Sequence, residues 1–311
     1  MANTATLKPA KPQIPHPAAA VDPGCAPACD FAMLSHRGHV RHVNQDACAA
    51  LPERGAFVVC DGIGGAAAGE VASHLAAEAF LHSLSQPLPR QPRRTPAKAV
   101  AGPASPAEPA GRNNGAGHFP ANHPHARLHE AVHAANQAVL RHSRKSPSLH
   151  GMGTTLVAAL FDETVPEDAP ANATLWLAHV GDSRCYRLRR GVLELLTEDH
   201  SLVEEQVRAG VLSRIQARRS PIRNIITRAI GAQPAVEPDI ASHATRPGDL
   251  YLLASDGLTR ELTDAEIALI LSQVPIQPHA DTLESACHTL IDAANAHGGR
   301  DNITVVLIAC T

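Results

Sequence analysis

Four aspartates each stand at the edge of a short apolar run. Asp61 follows the run from Ala56 to Cys60, Asp182 the run from Leu175 to Gly181, and Asp256 the run from Leu250 to Ser255, while Asp301 just precedes the run from Ile303 to Ile308. Carboxylates are hard oxygen ligands, and several at one place repel one another unless a cation is held among them. Runs this short, rich in Val, Leu and aromatic residues, have the length and composition of buried strands. Strand ends that bring these four carboxylates together would build a site for divalent metal ions.

Two neighbouring segments add to this chemistry. In Asp61-Gly62-Ile63-Gly64-Gly65 the glycines permit a tight turn, and the Gly62 carbonyl beside the Asp61 carboxylate makes an oxygen pair for a hard cation. A lone Asp-Gly is more often a plain turn. The segment matches neither G-x-G-x-x-G nor a phosphate loop ending in G-K-[ST]. Arg41 could bind a phosphate through its planar fork, and Asp46 could join the metal cluster through a water. His36, His39 and His42 recur every third residue, which on a strand puts them on alternating faces and argues against a zinc trio. The stretch from Gly151 to Leu160 reads as a turn entering a buried strand, with no chemistry of its own.

The elements that must position these residues are legible in outline. Helical spacing covers 69–84 and 127–143; Thr263 with Glu266 opens another helix as a capping box; and 282–297 gives a last one, ended by Gly298-Gly299. Strands are expected near 46–60, 154–161, 174–197, 250–254 and 303–309. Within them, 175–188 and 192–196 read as a hairpin across Arg189-Arg190-Gly191. The order does not alternate strictly, which favours an α+β layered domain with antiparallel sheets. Residues 1–30 read as a disordered Pro/Ala-rich tail, 31–311 as one domain, and about 86–124 as a Pro-rich, basic surface insertion.

Composition narrows the class. The chain has 311 residues, 44% hydrophobic and 18% charged, with net charge −3 and pI near 6.7. That balance gives no reason to expect nucleic acid or an anionic membrane as partner. Seven scattered cysteines do not make a disulfide framework. No apolar stretch has the length of a bilayer span and no signal-like start is present, so the expectation is a soluble, cytoplasmic protein.

Taken in order, V-V-C-D-G-I-G-G with G-E-V-A-S, then M-G-T-T-L, H-V-G-D-S-R, L-L-A-S-D-G-L-T and D-N-I-T-V-V resemble the metal-dependent protein phosphatase family, also called protein phosphatase 2C, in its bacterial branch. The resemblance covers about 33–310. It implies a four-layer αββα sandwich: two central antiparallel sheets flanked by helix pairs. It implies a phosphoserine/phosphothreonine phosphatase that uses a hydroxide bridging two Mn2+ or Mg2+ ions and opposes a bacterial Ser/Thr kinase on phosphorylated proteins, as a monomer. Asp61 would bridge the ions, with Gly62 adding its carbonyl. Asp256 and Asp301 would bind the other ion, and Asp46 would act through water. Asp182 with Asp256 would hold a third ion, and Arg41 would grip the substrate phosphate. Arg41, Asp61 and Asp256 are thus the expected catalytic set. Two rivals are a phosphoprotein-binding pseudophosphatase, against which the retained aspartates argue, and a small-molecule phosphohydrolase on the same fold.

The chain departs from the family pattern at His36, where Asp is usual, at Gln45, where Glu is common, and at Ala66, where bacterial members often carry His. Ile63 stands where eukaryotic relatives have a general-acid His, which leaves a metal-bound water or a flap histidine such as His200 as the candidate acid. The segment 200–231 corresponds to the family's variable flap. Its Arg214, Arg218, Arg219, Arg223 and Arg228 make it basic, which reads either as a solvated helix face or as a docking surface for phosphoproteins.

Overall fold

The computed structural model describes residues 29–87, 119–162 and 173–310. The Pro/Ala-rich tail and the body of the Pro-rich insertion lie outside them. The first half of the chain runs β1 (Cys29–His36), β2 (Asp46–Leu51), β3 (Ala56–Ile63), α1 (Ala66–Ser85), α2 (Pro124–Ser143), β4 (Gly153–Thr154), β5 (Leu156–Asp162) and β6 (Thr174–Val180). The second half runs β7 (Arg184–Arg189), β8 (Val192–Leu195), α3 (Leu202–Arg208), α4 (Arg214–Arg219), β9 (Asp239–Ala244), β10 (Leu250–Ala254), α5 (Asp256–Thr259), α6 (Asp264–Leu271), α7 (Ala280–Ala296) and β11 (Ile303–Cys310).

The strands form two antiparallel sheets, one in the order β1-β11-β10-β7-β8 and the other β2-β3-β5-β6-β9, with β4 paired to β3. Period-two alternation explains the layering. Along β3, Phe57 and Val59 face the other sheet, while Ala56, Val58 and Cys60 face α1 and α2. Along β11, Val306 and Ile308 face inward, while Val305, Leu307 and Ala309 meet the layer of α6 and α7. Strands buried on both faces must be apolar throughout, which is why they appear in the sequence as continuous runs. Three cores result: one between the sheets and one under each helix pair. This is the αββα sandwich that the motifs imply.

The capping box at Thr263 forms as expected, with Glu266 accepting from the Thr263 N–H at 2.7 Å. Three expectations are corrected. Residues 175–188 are not one strand of a hairpin: β6 belongs to one sheet and β7 to the other, with Gly181 at φ +107° in the break. The chain thus crosses between sheets at Asp182. A strand also begins within the last two residues of the stretch 1–30 read as tail, since β1 pairs with β11 from Cys29↔Cys310 onward. Finally, β9 carries so few apolar residues that its pattern was silent; as the edge strand beyond β6 it needs few.

Candidate metal centre and active site

At one end of the sandwich every inward-facing strand position turns polar. The inward series Phe57, Val59 on β3 continues to Asp61, and Cys48 on β2 continues to Asp46. Val157 gives way to Thr155, Leu253 to Ser255, and Val306 to Thr304. The same alternation that builds the apolar core therefore lines its open end with oxygen atoms. Asp46 and Asp61 stand directly opposite in the β2–β3 register, so their carboxyls face one another.

The two sheets are tied together at this point. Ser255 and Thr304, from one sheet, donate hydroxyls to Asp46 Oδ2 of the other at 2.8 and 2.7 Å. Asp61 is held by its backbone: its N–H donates to Thr155 Oγ1 at 3.0 Å, and its carbonyl accepts from Thr154 Oγ1 at 2.8 Å. The Thr154-Thr155 pair, expected to have no part in the chemistry, thus sets the position of the central carboxylate. Gly62 lies where an added Cβ would stand 2.2 Å from the Gly69 carbonyl and 2.6 Å from that of Gln45, so the approach of α1 to β3 requires glycine. Asn302 pins the loop between β1 and β2, accepting from the Gln45 N–H at 2.8 Å and donating to the Arg37 and Val43 carbonyls at 2.9 Å each. His36 takes over a turn-capping task where the family usually has Asp: its Nδ1 accepts from the Gly38 N–H at 2.9 Å.

Asp256 opens α5, directly after β10, and Asp301 immediately precedes β11 across from it. Asp182 enters from the crossover between β6 and β7. That crossover is clamped twice. Arg184 binds Asp199 through both oxygens at 2.9 and 2.7 Å, and the Gly181 N–H donates to His200 Nδ1 at 3.1 Å. A neutral imidazole has one N–H. With Nδ1 accepting, the proton sits on Nε2, which faces Asp239 Oδ2 at 3.4 Å. His200 is buried in this network and stacked on His179 at 4.6 Å. Its place makes it a support for the Gly181 turn, not the proton donor that its flap position suggested. Ligand atoms of His179, His200 and Asp239 lie within 4.8 Å of one another, yet the protonated Nε2 leaves His200 without a lone pair for an ion.

Electrostatics agree with the geometry. Burial raises the Asp46 carboxyl from an ordinary value of 3.8 to about 6, against the pull of the Thr304 and Ser255 hydroxyls. Asp61 is pushed well above the carboxylate range, first by burial and then by the charge of Asp46, Asp256, Asp182 and Asp301. Asp256 is raised in the same way, with Asp182 its strongest neighbour. Asp182 is raised by burial, and Arg260 opposes that rise. Three buried carboxylate oxygens, Oδ1 of Asp46, Asp182 and Asp256, have no hydrogen-bond donor. Acceptor-only oxygens without donors, in a cluster that resists ionising, are the condition a divalent cation relieves. The residues present fit a metal core at Asp61, Gly62, Asp256 and Asp301, with Asp46 behind it.

Two arginines reach this cluster. Arg41, nearly half exposed at the mouth, donates from Nη2 to Asp301 Oδ2 at 2.8 Å. Arg260, four residues after Asp256, contacts the Asp256 carboxylate and lies 3.4 Å from Asp182 Oδ2 and 3.6 Å from Asp301 Oδ2. It stands in the space between Asp182 and Asp256 that the resemblance assigned to a third ion. Arg260 was not among the expected site residues. Its signal was the i,i+4 pairing with Asp256, visible only once a helical turn after Ser255 is expected.

An αββα sandwich with carboxylates gathered at its open end and an arginine at the rim defines a metal-dependent phosphate-ester hydrolase. The chain belongs to the protein phosphatase 2C family, whose model matches residues 35–297. It is 33% identical over 275 residues to the serine/threonine phosphatase stp of Listeria monocytogenes serotype 4b, covering 88% of this chain and 92% of that protein. It is 37% identical over 277 residues to the serine/threonine protein phosphatase PstP of Mycobacterium tuberculosis, covering 89% of this chain and 44% of that longer protein. The crystal structure of the PstP catalytic domain in complex with two manganese ions superposes with a TM-score of 0.67 at 33% identity, over 90% of this chain and 97% of that one.

Proposed function

We propose that this chain removes phosphate from phosphoserine and phosphothreonine of proteins with divalent metal ions bound at Asp61, Gly62, Asp256 and Asp301. The observation that carries the reading is the cluster of buried carboxylates around Asp61, in which Oδ1 of Asp46 and of Asp256 lacks a donor, placed beneath Arg41 at the mouth. The fit to a manganese-bearing relative supports Mn2+ as the physiological ion, with Mg2+ as the alternative. When bound, the ions supply Lewis-acid charge and lower the pKa of water toward neutrality. The chain's own residues do the rest. Asp46 buffers the site through its second oxygen, held by Ser255 and Thr304. Thr154 and Thr155 fix the Asp61 backbone, and Arg41 presents its guanidinium to the phosphoryl oxygens.

The natural substrates on this reading are phosphoproteins of a bacterial Ser/Thr kinase system, acted on by a monomer. No helix among the described residues is long and apolar enough to cross a membrane. The test is phosphate release from a phosphothreonine peptide with and without Mn2+. A wild-type protein that binds the peptide yet releases nothing with Mn2+ is a pseudophosphatase, and the reading fails. Preference for small phosphate esters over phosphoproteins would favour the small-molecule rival.

Two variants probe the substrate side. Arg41→Ala is expected to lower kcat/KM on p-nitrophenyl phosphate by roughly tenfold or more, the size of one charge-assisted hydrogen bond at ~1.5–3 kcal/mol. Arg41→Lys should recover only part of that loss, because an ammonium lacks the fork. In the flap, Arg228 is paired with Asp239 at 2.7 Å and is not offered to substrate. Arg219 and Arg223 are exposed. Their double replacement by Ala should raise KM for a phosphoprotein and leave p-nitrophenyl phosphate unchanged. Equal effects on both substrates would remove the docking role.

A further inference from the structure

The third ion that family resemblance assigns to Asp182 and Asp256 meets an obstacle in this chain. Arg260 caps the C-terminal end of α5 and folds back over it, so its side chain returns to Asp256 one turn earlier. The same Nη2 faces Asp182 Oδ2 at 3.4 Å, and Nη1 faces Asp301 Oδ2 at 3.6 Å. The Arg260 side chain is only 27% exposed and its guanidinium meets three carboxylates, so it is seated in the cluster and does not extend into solvent. A divalent cation placed between Asp182 and Asp256 would have to share that space with a fixed positive charge. At contact range two such charges repel strongly, the more so in a site of low dielectric.

We propose that Arg260 is a built-in cation that takes the place of the accessory third metal ion, so that this chain operates with two ions and one tethered guanidinium. The inference rests on the two-ion core proposed above. Physically, the exchange replaces a weakly held divalent ion, present only when its concentration is high, by a single charge that is always present. Arg260 neutralises part of the charge on Asp182 and Asp256 and holds the β6–β7 crossover against α5. Asp182 then serves as the partner of Arg260 and not as a metal ligand.

The experiment counts ions. Mn2+ binding to the full chain is measured by calorimetry, and bound Mn2+ by electron paramagnetic resonance, up to millimolar Mn2+ at neutral pH. Wild type is expected to bind two ions, and Asp182→Asn is expected to bind two as well. Arg260→Asp, which removes the guanidinium and adds a carboxylate, is expected to bind three. Arg260→Gln, neutral and shorter, serves where circular dichroism shows that the Asp variant has not folded, and is also expected to admit a third, weaker ion. A third ion on the wild type, lost in Asp182→Asn, overturns the inference. So does a count of two on every folded Arg260 variant. Fewer than two ions on the wild type would remove the two-ion core itself and the inference with it. That failure is recognised separately, from the wild-type count alone, before any Arg260 variant is read.

Discussion

Asp61→Asn is expected to lower turnover about a thousandfold or more and, at the same time, to stabilise the metal-free fold. The two effects have one origin. Asp61 lies opposite Asp46 in the strand register and within reach of Asp256, Asp182 and Asp301, so its charge is repelled from every side in the metal-free protein. An amide of the same shape removes that repulsion and can donate to the facing Asp46 carboxylate. The melting temperature of the metal-free variant at neutral pH should therefore exceed that of the wild type, by roughly 2–4 °C per kcal/mol relieved in a chain of this size. The same substitution removes the carboxylate proposed as the central metal ligand. Metal charge at a phosphoryl transition state is worth several kcal/mol, and each ~1.36 kcal/mol lost is about tenfold in rate. The rise in melting temperature that Mn2+ gives the wild type should disappear with the activity. A variant with turnover within about tenfold of wild type would show that Asp61 does not bridge the ions.

The second large effect is metal removal, and it depends on pH. Chelation should abolish activity at every pH. The stability gained from Mn2+ should be small near pH 5 and large near pH 7.5. Asp46 is raised to about 6, with Asp61 and Asp256 raised as well. A carboxyl whose folded pKa lies above its unfolded value stabilises the fold below the unfolded value and loses that contribution as pH rises through the folded one. For Asp46 this window runs from 3.8 to about 6. Moving it that far corresponds to ~3 kcal/mol. Below about pH 6 a metal must displace the Asp46 proton; above it that carboxylate is charged and repelled by its neighbours, and ready to accept a cation. At about a hundredfold excess of Mn2+ over its Kd the gain is ~2.7 kcal/mol, or on the order of 5–10 °C. The quantity to measure is the difference between melting temperatures with Mn2+ and with chelator across pH. His179, lowered to about 4 by burial and by His200, titrates in the same window with the opposite sign. It lies away from the metal core, so its contribution cancels in the difference. A Mn2+ increment that is flat from pH 5 to pH 7.5, or falls with pH, would sink the account.

The positions of Asp61, Asp256 and Asp301 were legible because each ends or precedes an apolar run that is buried on both faces. Such runs must be strands, and polar residues at their ends must lie at the rim. The helices at 69–84, 127–143 and 282–297 were legible to within a few residues, since each buries one stripe against a sheet. β9 was not, because an edge strand needs little apolar sequence. Nor was the change of sheet at Gly181: the polar stretch Gly181-Asp182-Ser183-Arg184 reads equally as a turn within one sheet, and a run of residues carries no mark of which sheet will pair with it. Thr154, Thr155, Ser255 and Thr304 were present in the motifs, but small hydroxyl residues suit turns and strands equally. Only their partners, Asp61 and Asp46 across the sheets, give them a task.

By itself, the sequence determined which groups are candidates for the chemistry: four carboxylates at strand edges, a glycine turn beside one of them, and an arginine and a fifth aspartate ahead of them. Those are properties of residue type and local order, which neighbours along the chain fix. The tertiary structure decided how the charges are shared. It placed Asp46 against Asp61, sent Asp182 through the crossover between sheets, withdrew His200 into the support of that crossover, and set Arg260 between Asp182 and Asp256. Each of these depends on contacts between residues far apart in the chain, apart from the one turn of helix that joins Asp256 to Arg260. Even there, the meeting with Asp182 is made by the packing of two sheets.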